Sequence, residues 1–347
     1  MNASLQPHIL DLAGYVPGEQ PQGGGFIKLN TNENPYPPSP RVISALADAI
    51  GDRLRLYPDP LATEFRRAAA DLHGVSPDMI MAGNGSDDIL TILTRAFVGV
   101  GEIAAYPTPS YLLYSTLIRI QDGREHVVPF SADWKLRPAD VARAGLKLVY
   151  LANPNSPSGT ALSRGEVADL AAALPCPLVV DEAYGDFADE HAIPLVRDFP
   201  NVIVTRTFSK GYSLAGIRLG YLIARPEIVE QLVKVKDSYN CDALSLVAGT
   251  AALRDQDYHD RMRDRVVATR SRLTAALRKM GYSVPDSQAN FVWATGGPPA
   301  EPTFARLKER KILVRLMKYE GMEPGLRISI GTDAEIDRLL EVWNETA

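Results

Sequence analysis

Short apolar runs alternate with helical patterns through the middle of the chain. The runs are rich in β-branched and aliphatic residues, as strands buried on both faces should be, and comprise Met79–Ala82, Ile103–Tyr106, Leu146–Ala152, Leu178–Val180 and Val202–Thr205. Helical spacing of apolar residues separates most of them, over Ser86–Phe97, Tyr111–Ile120 and Ser163–Leu174. This alternation predicts an α/β fold with a mostly parallel central sheet covered by helices.

The two ends of the chain have different patterns. Residues 1–38 are rich in turn formers and predict an arm. After Pro226, long helices (Ala243–Leu253, Tyr258–Met280) precede short strands (Phe291–Ala294, Leu313–Leu316, Leu326–Ile330) and a final helix that starts with a capping box, Thr332–Glu335. Segregated helices and strands predict a smaller α+β domain. We therefore expect an arm over residues 1–38, a large domain over 39–245 and a small domain over 246–347.

Composition and charge exclude several classes of protein. With 347 residues, 46% of them hydrophobic, the chain can bury a sizeable core and is not of the disordered class. Lys and Arg number 37 against 42 Asp and Glu, and this net charge of −5 argues against nucleic acid or an anionic membrane as partner. No disulfide framework, signal peptide or membrane span is expected. We expect a cytoplasmic protein that binds a small molecule.

Charged residues follow two of the predicted strands, at the edge where open α/β sheets bind ligands. Lys210 follows Val202–Thr205 among small and apolar neighbours, so it is either a nucleophile of lowered pKa or a surface loop lysine. Arg218 could clamp a phosphate with two hydrogen bonds. Asp181 follows Leu178–Val180 and either contacts a ligand or caps a helix.

Two turns also follow predicted strands. Gly83–Asp88 opens a helix, where glycines allow close approach and free N–H groups can bind an anion. It is not the dinucleotide fingerprint, because Asp88 stands where the third glycine should be. Asp87 and Asp88 would repel a phosphate unless they point away. The segment Asn153–Gly159 forces an irregular turn. By itself, such a turn would indicate no function.

Together these segments resemble the fold-type I aminotransferases that use pyridoxal 5′-phosphate, most closely the histidinol-phosphate aminotransferase group. Seven segments in the family's order carry the resemblance: Lys28–Pro35, Leu56–Asp59, Gly85–Asp88, the Asn-Pro turn, Asp181–Tyr184, Phe208–Lys210 and Leu326–Gly331. The resemblance implies the fold of the type I pyridoxal-phosphate-dependent transferases, with an arm that packs against the small domain and a partner subunit.

The resemblance implies roles for residues around the cofactor ring. Lys210 would hold pyridoxal 5′-phosphate covalently as an aldimine and, once freed, move a proton. Asp181 would pair with the protonated ring nitrogen, while Tyr184 and Asn155 would hydrogen-bond the ring hydroxyl. In the commonest family pattern an asparagine directly precedes Pro-(Thr/Ser)-Gly. This chain has Ser156 there and Asn155 one residue earlier.

Further implied contacts surround the cofactor phosphate and the substrate. The phosphate would contact Gly85, Ser86, Ser209, Arg218 and, from the neighbouring subunit, Tyr57, which implies a homodimer with shared active sites. Tyr111 would stack on the pyridine ring, and the substrate would meet Arg327, Arg315, Tyr15 and Asn84. From the residues alone, Tyr111 could instead be a core aromatic and Arg327 a solvated charge on a strand.

The resemblance implies transfer of an amino group between L-histidinol phosphate and 2-oxoglutarate, in histidine biosynthesis. An aromatic or other amino-acid aminotransferase of the same subgroup would keep the chemistry with a different amino donor. A threonine-phosphate decarboxylase would use the same fold and lysine to release CO2. A regulator fused to a DNA-binding segment is disfavoured, because the motifs start at residue 28 and the chain is not basic. No metal site is expected, since the histidines are scattered.

Overall fold

The computed structural model describes residues 5–12, 14, 18–21 and 23–345. The strands are β1 (Ile27–Lys28), β2 (Ile80–Gly83), β3 (Ile103–Thr108), β4 (Arg124–Pro129), β5 (Leu146–Ala152), β6 (Leu178–Asp181), β7 (Val202–Thr207), β8 (Gly220–Ile223), β9 (Phe291–Ala294), β10 (Ile312–Leu313), β11 (Arg315–Met317) and β12 (Gly325–Ser329).

The α-helices of the same residues follow the chain in this order: α1 (Pro7–Leu10), α2 (Pro40–Ala49), α3 (Thr63–His73), α4 (Ser86–Phe97), α5 (Leu113–Ile120), α6 (Pro138–Val141), α7 (Arg164–Ala173), α8 (Leu195–Asp198), α9 (Pro226–Leu232), α10 (Ala243–Leu253), α11 (Gln256–Lys279), α12 (Ala300–Glu309) and α13 (Asp333–Asn344). The capping box predicted at Thr332 and Glu335 is present at the start of α13. None of the helices in these described ranges is long and apolar enough to cross a membrane.

A seven-stranded sheet lies at the centre, with the order β2-β8-β7-β6-β5-β3-β4. Strands β4, β3, β5, β6 and β7 run parallel to one another, whereas β8 runs antiparallel to both β7 and β2. The predicted α/β fold with a mostly parallel sheet is confirmed. Because β5, β6 and β7 are adjacent and parallel, the residues that follow them meet at one edge.

Both faces of this sheet are covered by apolar side chains. Val179 and Ile203 pack into the core on one face, and Val180 and Val204 pack into the core on the other. All four are fully buried. The alternation of faces along a strand explains why consecutive positions of these runs are apolar.

Two strands of this sheet are not predicted by the apolar pattern. The first, β4, is an edge strand of mixed exposure whose sequence Arg-Glu-His-Val-Val-Pro begins with three polar residues. The second, β8, is fully buried but only four residues long and starts at Gly220. Edge exposure and short length each weaken the periodic signal.

A second sheet forms the C-terminal part, with the antiparallel order β11-β12-β9. Val292 and Ile328 of this sheet share a core with Leu273 of α11 and Leu339 of α13. The arm joins this part through β1, which pairs in parallel with β10. The predicted domain boundary at residue 245 falls within α10, whose buried residues pack in the main core. The three-part division of the chain stays a prediction.

A substitution at Gly220 tests the packing of β8 against the start of α4. A Cβ at Gly220 would lie 2.7 Å from the backbone nitrogen of Ser86 and 2.9 Å from the carbonyl oxygen of Arg206, so the backbone would have to move. We expect Gly220→Ala to lower the free energy of unfolding by about 1–3 kcal/mol, as overpacking does. Chemical denaturation followed by circular dichroism measures this change.

Gly216→Ala is the matched control, because a Cβ there would meet nothing within 4 Å. Its free energy of unfolding should stay within about 0.5 kcal/mol of the wild-type value, as for most surface substitutions. Equal stability of the two variants would contradict the close packing of β8 against α4.

Candidate active site

A cavity of about 370 Å³ lies at the edge where β5, β6 and β7 end. The arm and the strands β11 and β12 complete its walls. Nine of the residues predicted from sequence line it: Ser86, Tyr111, Asp181, Tyr184, Ser209, Lys210, Arg218, Arg315 and Arg327. The fold therefore brings together residues that lie far apart in the chain.

The side chain of Lys210 reaches into this cavity and is only partly exposed. Its Nζ donates to the carbonyl oxygen of Thr31 at 3.2 Å. Desolvation of the amine, together with the positive charges of Arg327 and Arg218, lowers the pKa of Lys210 from 10.5 to about 8. A larger fraction of the amine is then neutral near physiological pH, which is what a nucleophilic lysine requires.

Asp181 is buried at the end of β6, and three donors hold its carboxylate. Its Oδ2 accepts from the Tyr114 hydroxyl at 2.7 Å, and its Oδ1 accepts from the Thr205 hydroxyl at 3.1 Å and the Ala183 N–H at 3.2 Å. Burial raises the pKa of Asp181, while the bonds from Tyr114 and Thr205 oppose that rise. A buried carboxylate at this place is suited to pair with a cationic ring nitrogen.

The hydroxyl of Tyr184 is held by the arm. It accepts a hydrogen bond from Nδ2 of Asn32 at 2.9 Å. Asn32 is itself fixed by Ser329 of β12, whose hydroxyl accepts from the Asn32 backbone N–H at 2.8 Å and donates to its Oδ1 at 2.9 Å. Burial raises the pKa of Tyr184, so the phenol stays protonated and can donate.

Glycine at position 85 lets an arginine approach the N-terminus of α4. Gly85 has a φ of 83°, in the left-handed region that favours glycine, and a Cβ there would lie 2.8 Å from Nη2 of Arg218. Nη1 of Arg218 donates to the Ser209 hydroxyl at 3.3 Å. Because α4 has no side-chain cap, its first N–H groups can join these side chains in binding an anion. These donors fit a phosphate group.

The two aspartates in the first turn of α4 lie differently. Asp88 turns away from the cavity, since its Oδ2 accepts from the Asn84 N–H at 2.9 Å and from Nδ2 of Asn240 at 3.1 Å. Asp87 lines the cavity, with its Oδ1 accepting from the Tyr111 hydroxyl at 3.2 Å and its Oδ2 3.5 Å from Nη2 of Arg218. Only Asp88 therefore points away, and Arg218 offsets the charge of Asp87.

Arg327 presents an unpaired donor beside the cavity. Its Nη1 donates to the Ser156 hydroxyl at 3.0 Å and its Nη2 to the Asn30 carbonyl at 3.3 Å, while its buried Nε has no hydrogen-bond partner among the described residues. Arg315 stands directly opposite Arg327 in the pairing of β11 with β12. A buried guanidinium donor without a partner is a place where a substrate anion can bind.

Asn155 lies behind the wall of the cavity. Its Oδ1 accepts from the Ser110 hydroxyl at 2.9 Å, and its Nδ2 donates to the Pro109 carbonyl at 3.0 Å and to the Ser158 hydroxyl at 3.1 Å. Ser156 lines the cavity instead. The polar atoms of Asn155 are thus used within the turn, and its contact with the ring hydroxyl stays a prediction.

The other predicted residues lie outside the cavity lining or outside the described chain. Asn84 is exposed and is not in the lining, and its contact with the substrate stays a prediction. Tyr57 is 82% exposed and stacks on Tyr239, with ring centroids 4.5 Å apart, in a separate groove. Tyr15 falls outside the described residues. Within the described ranges, no group of His, Cys, Asp and Glu could hold a metal ion.

Buried ion pairs tie the segment of Asp181 and Tyr184 to the strand that leads to Lys210. Arg206 of β7 lies 2.8 Å from Oε2 of Glu182 and 2.5 Å from Oδ1 of Asp186. Burial opposes ionisation of Asp186, but the charge of Arg206 outweighs it and lowers the pKa of Asp186 to about 2. These ion pairs therefore hold the segment after β6 and the strand β7 in fixed positions relative to each other.

Sequence reasoning assigns no role to several residues that hold the site. These are Thr31, Asn32, Tyr114 and Arg206. Asn32 lies inside a segment that carries the family resemblance, so that segment could have pointed to it. Tyr114 is three residues after Tyr111, a spacing that puts both on one side of a helix. No motif marks Thr31, which contributes only its backbone, or Arg206, which lies inside an apolar strand.

The chain matches the family model described as aminotransferase class I and II over residues 25–342. It is 51% identical to histidinol-phosphate aminotransferase of Rhodopirellula baltica, across 96% of this chain and 92% of that protein. It is 46% identical to histidinol-phosphate aminotransferase 1 of a Nostoc species, across 99% and 98%.

A solved structure of histidinol-phosphate aminotransferase from Sinorhizobium meliloti in complex with pyridoxal 5′-phosphate superimposes with a TM-score of 0.90. Its sequence is 29% identical, and the match covers 100% of this chain and 99% of that one. An aspartate aminotransferase variant from Thermus thermophilus, 18% identical with a TM-score of 0.84 over all of both chains, shares the fold. By sequence and by fold, this chain belongs to the class I and II aminotransferase family.

Proposed function

We propose that this protein uses pyridoxal 5′-phosphate to transfer an amino group between L-histidinol phosphate and 2-oxoglutarate, as in histidine biosynthesis. The observation that carries the proposal is the gathering of Lys210, Asp181 and an anion-binding helix start in one cavity. Identity of 44–51% to proteins named histidinol-phosphate aminotransferase, over nearly the whole chain, supports the choice of substrate. We place the enzyme in the cytoplasm.

The cavity offers a partner for each end of the cofactor. Arg218, the Ser209 hydroxyl and the N–H groups of Gly85 and Ser86 would bind the phosphate, and Asp181 would bind the ring nitrogen. Tyr111 lines the same cavity and would cover one face of the ring. When bound, pyridoxal 5′-phosphate supplies a carbonyl carbon that accepts the amino group and a protonated ring that accepts electrons.

Lys210 would act first as a nucleophile and then as a base. Its neutral amine would bond to the cofactor's carbonyl carbon with loss of water. After the substrate amine has displaced it, the lysine amine would take a proton from the substrate carbon and deliver it to that cofactor carbon. The Tyr184 hydroxyl would donate a hydrogen bond to the ring oxygen, because it already accepts one from Asn32. Asp181 would keep the ring nitrogen protonated.

Two arginines of the small sheet would bind the anionic groups of both substrates. Arg327, with its unpaired Nε, would bind a carboxylate of glutamate and of 2-oxoglutarate. Arg315 lines the same cavity opposite Arg327 and would bind the phosphate of the amino donor. The two cations of one cavity would then bind the anionic groups of two different molecules in turn.

A second copy of the chain would cover an apolar groove, giving a homodimer with shared active sites. The groove has a volume of about 870 Å³ and is lined by residues of α2, α3 and α10. Leu54, Leu56 and Tyr57 in its wall are 49%, 50% and 82% exposed. Exposed apolar surface of this kind marks protein interfaces. Tyr57 would there reach the cofactor phosphate of the partner subunit.

Covalent uptake of the cofactor should depend on Lys210. After incubation with pyridoxal 5′-phosphate and reduction with borohydride, mass spectrometry should find the added mass on the peptide containing Lys210, and Lys210→Ala should gain none. The initial rate of uptake should rise with pH and level off above about 8, because the neutral amine reacts and its pKa is lowered to about 8.

Lys234→Ala is the matched control, since this lysine is exposed and donates to the side chain of Gln231. It should take up the cofactor as the wild type does. Equal labelling of Lys210→Ala and the wild type would contradict the role of Lys210.

The amino donor can be identified by single-turnover kinetics of the cofactor-loaded enzyme. Absorbance changes on mixing should be fastest with histidinol phosphate, compared with phenylalanine, tyrosine, aspartate and threonine phosphate, because only this donor is proposed to match the cavity. A phenylalanine rate equal to that with histidinol phosphate would make the protein an aromatic aminotransferase. Release of CO2 from threonine phosphate would make it a decarboxylase.

Arg327→Ala should weaken the use of 2-oxoglutarate. Loss of a hydrogen bond to a charged group costs about 1.5–3 kcal/mol, so kcat/KM for this acceptor should fall roughly ten- to 150-fold. Arg338→Ala removes an exposed arginine of α13, paired with Glu341, and should leave kcat/KM unchanged. Steady-state kinetics with varied 2-oxoglutarate measures both. An Arg327→Ala enzyme with wild-type kinetics would show that another residue binds the carboxylate.

A further inference from the structure

A tyrosine behind the cavity wall holds the carboxylate that would bind the cofactor ring. We propose that Tyr114 is a positioning residue, which acts through Asp181 to keep that carboxylate ionised and aimed at the ring nitrogen. The proposal rests on the proposed function. Its evidence is the hydrogen-bond geometry of Asp181 and the packing of the Tyr114 ring.

The two carboxylate oxygens of Asp181 are used unequally. Oδ1 accepts two hydrogen bonds, from Thr205 and Ala183, whereas Oδ2 accepts one, from Tyr114. A carboxylate oxygen has two lone pairs, so Oδ2 keeps the free one. Oδ2 is therefore the atom that would receive the ring N–H, and Tyr114 donates to that same atom from the protein side.

The packing of Tyr114 fixes the direction of its hydroxyl group. The side chain is fully buried on α5. Its ring stacks on Tyr150 with centroids 4.8 Å apart and planes inclined by 2°, and it meets the ring of Tyr111 edge-on at 5.6 Å. An aromatic side chain packed on two sides cannot rotate away. The 2.7 Å hydrogen bond from Tyr114 to Asp181 is therefore already formed before any ligand binds.

The chemistry of the pair favours an ionised Asp181. Burial and the nearby carboxylate raise the pKa of Tyr114 well above 10, so its hydroxyl stays a donor. A donor to a buried carboxylate stabilises the charged form, which is the form that attracts a protonated ring nitrogen. Without Tyr114, Oδ2 would lose its one protein donor, and the proton shared with the ring would move toward Asp181.

The same aromatic stack supplies a matched control. Tyr150 is also fully buried, but its hydroxyl bonds to Thr94 at 2.6 Å and to the Leu90 carbonyl at 3.2 Å. Tyr150→Phe and Tyr114→Phe each remove one buried hydroxyl from neighbouring stacked rings. Only Tyr114→Phe removes a donor to Asp181, so any difference between them reports on Asp181.

The test compares cofactor binding and turnover of the two variants. Equilibrium titration of the cofactor-free proteins with pyridoxal 5′-phosphate gives Kd, and steady-state kinetics at saturating cofactor gives kcat and KM. Tyr114→Phe should raise Kd and lower kcat by about tenfold or more each, the effect of one lost bond to a charged group. The KM for the amino donor should stay within about twofold, and Tyr150→Phe should change none of the three by more than about twofold.

A double-mutant cycle tests whether the Tyr114 hydroxyl acts through Asp181. Asp181→Asn removes the charge, so adding Tyr114→Phe to it should change Kd and kcat by less than about twofold. A large further loss in the double variant would overturn the proposal, because the hydroxyl would then act on something other than Asp181. Circular dichroism and thermal melting establish that each protein is folded.

Failure of this inference differs from failure of the proposed function. If the wild-type protein did not bind pyridoxal 5′-phosphate, the proposed function itself would be wrong. If the wild type bound it and Tyr114→Phe matched Tyr150→Phe in Kd and kcat, only the role of Tyr114 would be overturned.

Discussion

The site depends on holding one lysine amine out of water where three parts of the chain meet. Lys210 ends the segment after β7, its amine contacts Thr31 of the arm, and Arg327 of the small sheet lies close enough to lower its pKa. Each part supplies a wall that the others lack. The arm's short pairing of β1 with β10, and its contact through Asn32 to Tyr184, therefore matter for chemistry as well as for packing.

The cavity gathers positively charged side chains, although the chain as a whole has a negative net charge. The chain carries a net charge of −5, yet Lys210, Arg218, Arg315 and Arg327 line a single cavity. Some acidic side chains nearby are turned away, as Asp88 is, and others are paired, as Glu182 and Asp186 are with Arg206. The acidic surface disfavours polyanionic partners, while the cavity remains suited to small phosphates and carboxylates.

The sequence predicted well what depends on local pattern. Strands buried on both faces contain runs of consecutive apolar residues, so β5, β6 and β7 were predictable, and with them the edge at which Asp181 and Lys210 meet. Patterns could not place residues whose role depends on side-chain direction. Asn155 and Ser156 are neighbours, and only the fold of their turn decides which of them faces the cavity. Tyr114 has no chemical motif, because its function depends on a contact 67 residues away in the chain.

A crystal structure of the protein grown with pyridoxal 5′-phosphate tests the central claim most directly. The account predicts density continuous with Nζ of Lys210, the phosphate against Ser86, Ser209 and Arg218, and the ring nitrogen within hydrogen-bond distance of Oδ2 of Asp181. Cofactor density bonded to another lysine, or a ring nitrogen remote from Asp181, would contradict it.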